Sequence, residues 1–173
     1  MIEKLPDGHI IKTMVKEHDH ILAMLDELTD IAHRLSNSDQ DIGETLLLRA
    51  NQLAVKIIGA DPHHQREELI LFPALEENGI TRPTQYMRME HEAMRKMKHA
   101  LKQKTENSDG VWSERVLDIS KLIDALCLTL GQHIQKENTI LYPMALTVIT
   151  DEAKWLEMRI QCDKIGYCCF CPV

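Results

Sequence analysis

The chain has 173 residues and a mass of 19.9 kDa, with 44% hydrophobic and 27% charged residues. That is the length of one domain with a real core. A net charge of −7 and a pI near 5.7 exclude a protein that grips nucleic acid or an anionic membrane through a basic patch. Aromatic residues are only 4%, and abundant Leu, Ile, Met, Ala, Glu and Lys argue against a β-sandwich and for helices. Nine histidines stand out against two Phe, two Trp and three Tyr.

The first residues, Met1 to Gly8, lack the apolar run of a secretory signal, and no uncharged apolar stretch of about 18 residues follows. A cytoplasmic location and reduced cysteines are therefore expected. Turn formers at Ser36-Asn37-Ser38-Asp39, Asn78-Gly79 with Pro83, and Asn107-Ser108-Asp109-Gly110 cut the chain into four long segments. In the first, Ile11, Met14, His18, Leu22, Leu25, Ala32 and Leu35 form one helical stripe. The second runs from about Glu44 to Glu77, and Gly59 with Asp61-Pro62 predicts a kink or break. The third carries Met87, His91, Met94 and Leu101. The fourth carries Val116, Ile119, Ile123, Leu126, Leu130, His133, Glu137, Ile140 and Met144. Short connections favour antiparallel neighbours, so residues 1–150 are expected to form an all-α, up-down-up-down four-helix bundle. A short amphipathic helix from Asp151 to about Ile160 and a Cys-rich tail are expected to pack on it, making 151–173 a C-terminal appendage.

Polar residues on those stripes need explaining, because an unpaired buried carboxylate is costly. An internal repeat supplies the explanation. The second segment holds His63-His-Gln-Arg-Glu67-Glu-Leu-Ile-Leu-Phe-Pro73, and the fourth holds His133-Ile-Gln-Lys-Glu137-Asn-Thr-Ile-Leu-Tyr-Pro143. The first and third carry Glu17-His18-Asp19 and Glu90-His91-Glu92. The offsets agree: 91 − 18 = 73, while 133 − 63 and 137 − 67 are both 70. The chain reads as a duplicated helical hairpin, each half supplying one lone His and one His-x-x-x-Glu.

Residues four apart on a helix are about 6 Å apart and share a face, so an imidazole and a carboxylate at this spacing can converge on one ion. Two such pairs and two lone histidines make His18, His63, Glu67, His91, His133 and Glu137 the candidate ligands of a dinuclear metal centre. Inward Glu and His build such centres in helical bundles. The nitrogen and oxygen donors favour non-haem iron, with manganese and zinc as the other metals. His9, His33 and His99 read as ordinary residues, and His20 falls on the opposite side of its helix from His18. His64 also has a glutamate four residues on, Glu68, but the second copy has Ile134 and Asn138 there, so the repeat selects His63 and Glu67. The Leu-Phe-Pro and Leu-Tyr-Pro stretches read as packing and helix shaping. Glu17, Asp19, Glu90 and Glu92 are candidates either to accept hydrogen bonds from the ligand imidazoles or to line a solvated face.

The run from His63 to Glu76, repeated more loosely from His133 to Ala145, resembles the hemerythrin-like (HHE cation-binding) family over about residues 10–148. That resemblance implies a four-helix bundle with a di-iron centre. His18 and His63 would bind one iron and His91 and His133 the other. Glu67, Glu137 and a solvent-derived oxygen, oxo or hydroxo, would bridge them. Oxygen-carrying hemerythrins have a fifth His one turn after the third, where this chain has Arg95, and their second bridging acid is an Asp at a different spacing. The set of four His and two Glu is more similar to bacterial di-iron proteins of iron–sulfur cluster repair and nitrosative stress, and to the iron-sensing hemerythrin domain of a ubiquitin ligase subunit.

The resemblance implies a protein that senses or reacts with oxygen, peroxide or nitric oxide at an open di-iron centre. The alternatives are an iron–sulfur repair or nitric oxide/peroxide reductase enzyme, and an oxygen or iron carrier or store. No flavin or nicotinamide fingerprint is present, so a reductase would need an electron donor protein. A structural or zinc-filled bundle is the third class. Cys162, Cys168, Cys169 and Cys171 are a candidate second metal site, with a packed tail of idle thiols and a redox-active dithiol as the other readings. Cys127 reads as a small core filler.

Overall fold

The computed structural model describes residues 2–168. After a 3₁₀ turn at Ile2–Lys4, the helices are α1 (Ile10–Leu35), α2 (Gln40–Ile58), α3 (Asp61–Arg66), α4 (Phe72–Glu77), α5 (Arg82–Glu106), α6 (Trp112–Lys136), α7 (Tyr142–Val148) and α8 (Glu152–Ile165). Two π-helical segments, Glu67–Leu71 and Glu137–Leu141, join α3 to α4 and α6 to α7. No strand occurs among the described residues, so the fold class is the expected all-α one. No described helix is long and apolar enough to cross a membrane.

The helix boundaries have local causes. The Asp39 carboxylate accepts the Ile42 N–H at 3.0 Å and starts α2. The expected break before Pro62 occurs between Ile58 and Asp61, and Pro62 then sits in the first turn of α3, where no N–H is needed. The Asp151 side chain caps α8 through the Ala153 N–H. Gly166, at φ 91°, ends α8 and returns its N–H to the Cys162 carbonyl.

The π segments were not expected. Pro73 and Pro143 have no N–H, and their rings crowd the carbonyl four residues earlier, so the α ladder cannot pass through them. The turn widens instead: the Phe72 N–H bonds to the Glu67 carbonyl and the Tyr142 N–H to the Glu137 carbonyl, five residues back. Each widened turn advances the register by one residue. Leu141, Tyr142 and Ala145 are buried beyond the second of these turns; Ile140, expected on the core stripe, is 54% exposed, whereas its match Ile70 is buried.

The chain divides into two compact units. The first contains residues up to His20, Gly59–His91 and those from His133 on. Its apolar core includes Ile11, Met14, Leu71, Phe72, Leu75, Leu141, Tyr142 and Ala145. Met158 and Cys162 of α8 join that core with Trp155 and Ile165 packed beside them at helical spacing, while Leu156 and Ile160 are exposed. The second unit, Ile21–Ile58 and Glu92–Gln132, buries Leu25, Leu28, Ile31, Leu47, Leu53, Ile57, Ile119, Ile123 and Leu126. There Arg49 donates to both oxygens of Glu27 at 2.5 and 2.8 Å. Gly43 admits the Trp112 ring, which a Cβ would meet at 2.2 Å.

Candidate metal centre

All six candidate ligands lie in the first unit and are no more than 2% exposed. His18 comes from α1, His63 from α3, His91 from α5 and His133 from α6. Glu67 and Glu137 are the first residues of the two π segments. Widened turns of this kind recur at functional sites, where they re-aim side chains.

The structure brings the six together as two imidazole pairs. The Nε2 atoms of His18 and His63 are 3.0 Å apart, as are those of His91 and His133. Glu137 reaches both pairs: Oε2 is 3.1 Å from His18 Nε2, and Oε1 is 2.8 Å from His133 Nε2. Glu67 Oε2 lies 3.4 Å from His91 Nε2 and 3.7 Å from His63 Nε2.

Every one of the four imidazoles is fixed from behind by an oxygen. His63 Nδ1 donates to Glu17 Oε2, His91 Nδ1 to Glu68 Oε1 and His133 Nδ1 to Glu90 Oε2, each at 2.7 Å. His18 Nδ1 donates to Asn138 Oδ1 at 2.8 Å. An acceptor at Nδ1 places the proton there and leaves Nε2 as a bare lone pair. Each pair therefore turns two lone pairs toward each other at 3.0 Å, which repels unless a cation lies between them. Cis ligand atoms about 2.1 Å from one metal are separated by roughly this distance.

The carboxylates make the same demand. Glu67 Oε2 and both Glu137 oxygens are buried without a hydrogen bond. Burial and the neighbouring Glu137 charge push the Glu67 carboxyl well above the usual range, the signature of two acids that cannot both be charged without a cation. Burial holds His63 down at about 4, so it is a neutral, ligand-competent imidazole near neutral pH. Burial would also lower His133, but the Glu137 charge overrides it and raises this group. The donor set, the orphaned oxygens and the bare nitrogens are all compatible with iron.

The supporting shell repeats with the sequence. Glu17 and Glu90 precede the lone histidines and support the His-x-x-x-Glu histidines, His63 and His133. Glu68 and Asn138 follow the two glutamates and support the lone histidines, His91 and His18. Arg66 donates to Glu17 Oε1 at 2.6 Å, and Lys136, its match in the repeat, donates to Glu90. Asp19 and Glu92 are exposed, so of the four flanking acids only Glu17 and Glu90 serve the imidazoles. The signal for Glu68 and Asn138 was their shared position in the repeat.

Three further residues add to the sequence reading. The Leu-Tyr-Pro stretch is more than packing: the Tyr142 hydroxyl donates to Glu67 Oε1 at 2.8 Å and lies 3.3 Å from His63 Nε2. His64, which spacing alone leaves open, is buried and stacks on His91 with ring centroids 3.9 Å apart. Cys168 docks against the shell: its N–H donates to Glu17 Oε1 at 3.2 Å. His33 and His99 are exposed as expected, His20 is exposed, and His9 packs on Trp155. Cys127 is half-buried in the second unit and donates to the Leu25 carbonyl. Of the tail thiols, Cys162 and Cys168 are buried, and burial pushes Cys162 up to about 11. Cys169 and Cys171 lie outside the described residues.

The family model for the hemerythrin HHE cation-binding domain matches residues 9–145, which include all six candidate ligands and their supporting residues up to Tyr142. A search of curated proteins finds no match. The chain belongs to the hemerythrin HHE cation-binding family.

Proposed function

We propose that this protein holds a pair of iron ions and uses them to sense or react with a small ligand: oxygen, peroxide or nitric oxide. His18 and His63 would hold one ion, His91 and His133 the other, with Glu67 and Glu137 shared. The observation that carries this reading is the set of four imidazoles whose Nδ1 atoms are all occupied by oxygen acceptors and whose Nε2 atoms face two buried carboxylates. Iron held by such donors exchanges electrons and binds small molecules at positions the protein leaves open.

The chain's own residues do the rest. Glu17, Glu68 and Glu90 hold three imidazoles in the ligand tautomer and raise their basicity. Asn138 does this for His18 without adding charge. Phe72, fully buried and stacked beside His91, keeps bulk water from that side of the donors. An electron donor protein would be the partner if the centre turns over. The test is to load the protein with iron, reduce it, and mix it with peroxide or nitric oxide, with and without an electron donor. One stoichiometric oxidation identifies a sensor, and sustained turnover identifies a reductase. A reduced, iron-loaded protein that reacts with none of the three ligands would overturn the proposal.

A further inference from the structure

Comparing the two copies of the repeat at this centre exposes an asymmetry. Phe72 and Tyr142 occupy matched positions, one residue before each proline. Both are fully buried, and each ring stacks beside a lone histidine: Phe72 beside His91 and Tyr142 beside His18, both with centroids 5.7 Å apart. The core of this unit thus accepts a plain aromatic ring in this role. A buried hydroxyl costs free energy without a polar partner, so the Tyr142 oxygen needs a reason beyond packing. Its polar neighbours, Glu67 Oε1 at 2.8 Å and His63 Nε2 at 3.3 Å, are both atoms of the candidate ligand set. Those separations bracket the roughly 3.0 Å expected between cis ligands of one metal.

We infer that Tyr142 is a further metal ligand, supplying a phenolate oxygen to the position held by His18 and His63. The inference rests on the iron reading above. On metal binding the phenol O–H bond breaks, an oxygen–metal bond forms, and the proton leaves to solvent with no change of oxidation state. Glu67 Oε1 then loses its hydrogen bond and is freed to bind as well. The position at His18 and His63 then has Tyr142 as a third donor of its own, while the buried His64 imidazole lies beside the one at His91 and His133. A hard anionic oxygen would favour the ferric state of an ion held there.

The experiment uses the full chain, loaded with iron and oxidised. Iron per chain is measured on the same samples that give visible absorption and resonance Raman spectra. The expected result is an intense visible charge-transfer band with enhanced phenolate ring modes that shift when ring-deuterated tyrosine is incorporated. Tyr142→Phe should lose the band and the modes while retaining iron. Tyr86→Phe and Tyr167→Phe should keep both. Because the labelled wild-type protein carries the test, a Tyr142→Phe variant that fails to fold does not block it. Iron-loaded protein without phenolate modes, or modes that survive Tyr142→Phe, would overturn this inference and leave the iron reading standing. Failure to bind iron at all would overturn the reading beneath it.

Discussion

Removing the Glu17 carboxylate should damage the protein in two separable ways. Glu17 and Arg66 are both 0% exposed, and Glu17 accepts from Arg66 Nη2, from His63 Nδ1 at 2.7 Å and from the Cys168 N–H. Glu17→Ala leaves a guanidinium buried without its counter-charge, which costs about 3–5 kcal/mol. The matched variant Glu90→Ala should cost only about 1 kcal/mol, because Glu90 and Lys136 are 30% and 39% exposed and water replaces the lost partner. Glu17→Met combined with Arg66→Met removes the orphaned charge and leaves only two neutral donors unpaired, so it should be more stable than Glu17→Ala by about 2 kcal/mol. Urea unfolding of the metal-free protein, followed by circular dichroism, measures all four proteins. The second effect is on metal: without its acceptor, His63 is no longer fixed in the ligand tautomer, and affinity should fall about 10–100-fold in competition with a chelator. A Glu17→Ala protein within about 1 kcal/mol of wild type, or a double variant less stable than it, would refute the buried-pair argument. Unchanged metal affinity would refute the coupling through His63.

Other outcomes follow from the same geometry. Glu67→Ala and Glu137→Ala should each drop iron well below about two ions per chain by elemental analysis, whereas His20→Ala should leave it intact; loss of iron in His20→Ala would show the ligand assignment to be wrong. Burial alone would raise Glu17, but the His63 hydrogen bond and the Arg66 charge override it and hold the group down at about 2, against an ordinary 4.5. Its contribution is full above pH 4.5 and is lost as pH falls toward 2, so the urea midpoint should drop over that window and drop less in Glu17→Ala. Cys162 behaves oppositely: burial raises it from 9.0 to about 11, so the unfolded chain ionises first and stability should fall as pH rises through that interval. At neutral pH Cys162 should resist alkylation, and rapid labelling of its peptide by mass spectrometry would contradict this. Gly43→Ala drives a Cβ into Trp112 and should cost about 1–3 kcal/mol in thermal unfolding, while Gly131→Ala, helical with open space around its Cβ, should stabilise by up to about 1 kcal/mol.

Much of the centre was legible because duplication printed it twice. Matched His-x-x-x-Glu pairs and matched lone histidines single out six positions without any knowledge of packing, and all six converge in one unit. The break before Pro62 was legible for the same kind of reason, since a missing N–H acts locally. The effect of Pro73 and Pro143 was harder to see. Both break the α ladder, but the chain answers with a widened turn instead of an interruption, and the shifted register carries Phe72 and Tyr142 into the core. A period of 3.6 carried past Glu137 cannot anticipate that. Asn138 and Glu68 look like mismatches when the two copies are compared letter by letter. Their common function, accepting from Nδ1 of a lone histidine, shows only when the helices are in place. His64 was undecided because Glu68 competes with Glu67 for the same spacing, and stacking on His91 is a tertiary fact that no spacing encodes. The helix after Asp151 turns Trp155, Met158, Cys162 and Ile165 to the core, one turn beyond the Ile160 at which the apolar pattern was expected to end.

The most direct test of the account is the metal content of the protein as isolated, with identity and stoichiometry determined by elemental analysis after both aerobic and anaerobic preparation. The account predicts iron, at about two ions per chain, falling well below that when Glu67 or Glu137 is replaced by Ala. Protein that holds no iron under either preparation, or holds zinc in its place and refuses iron, would contradict it.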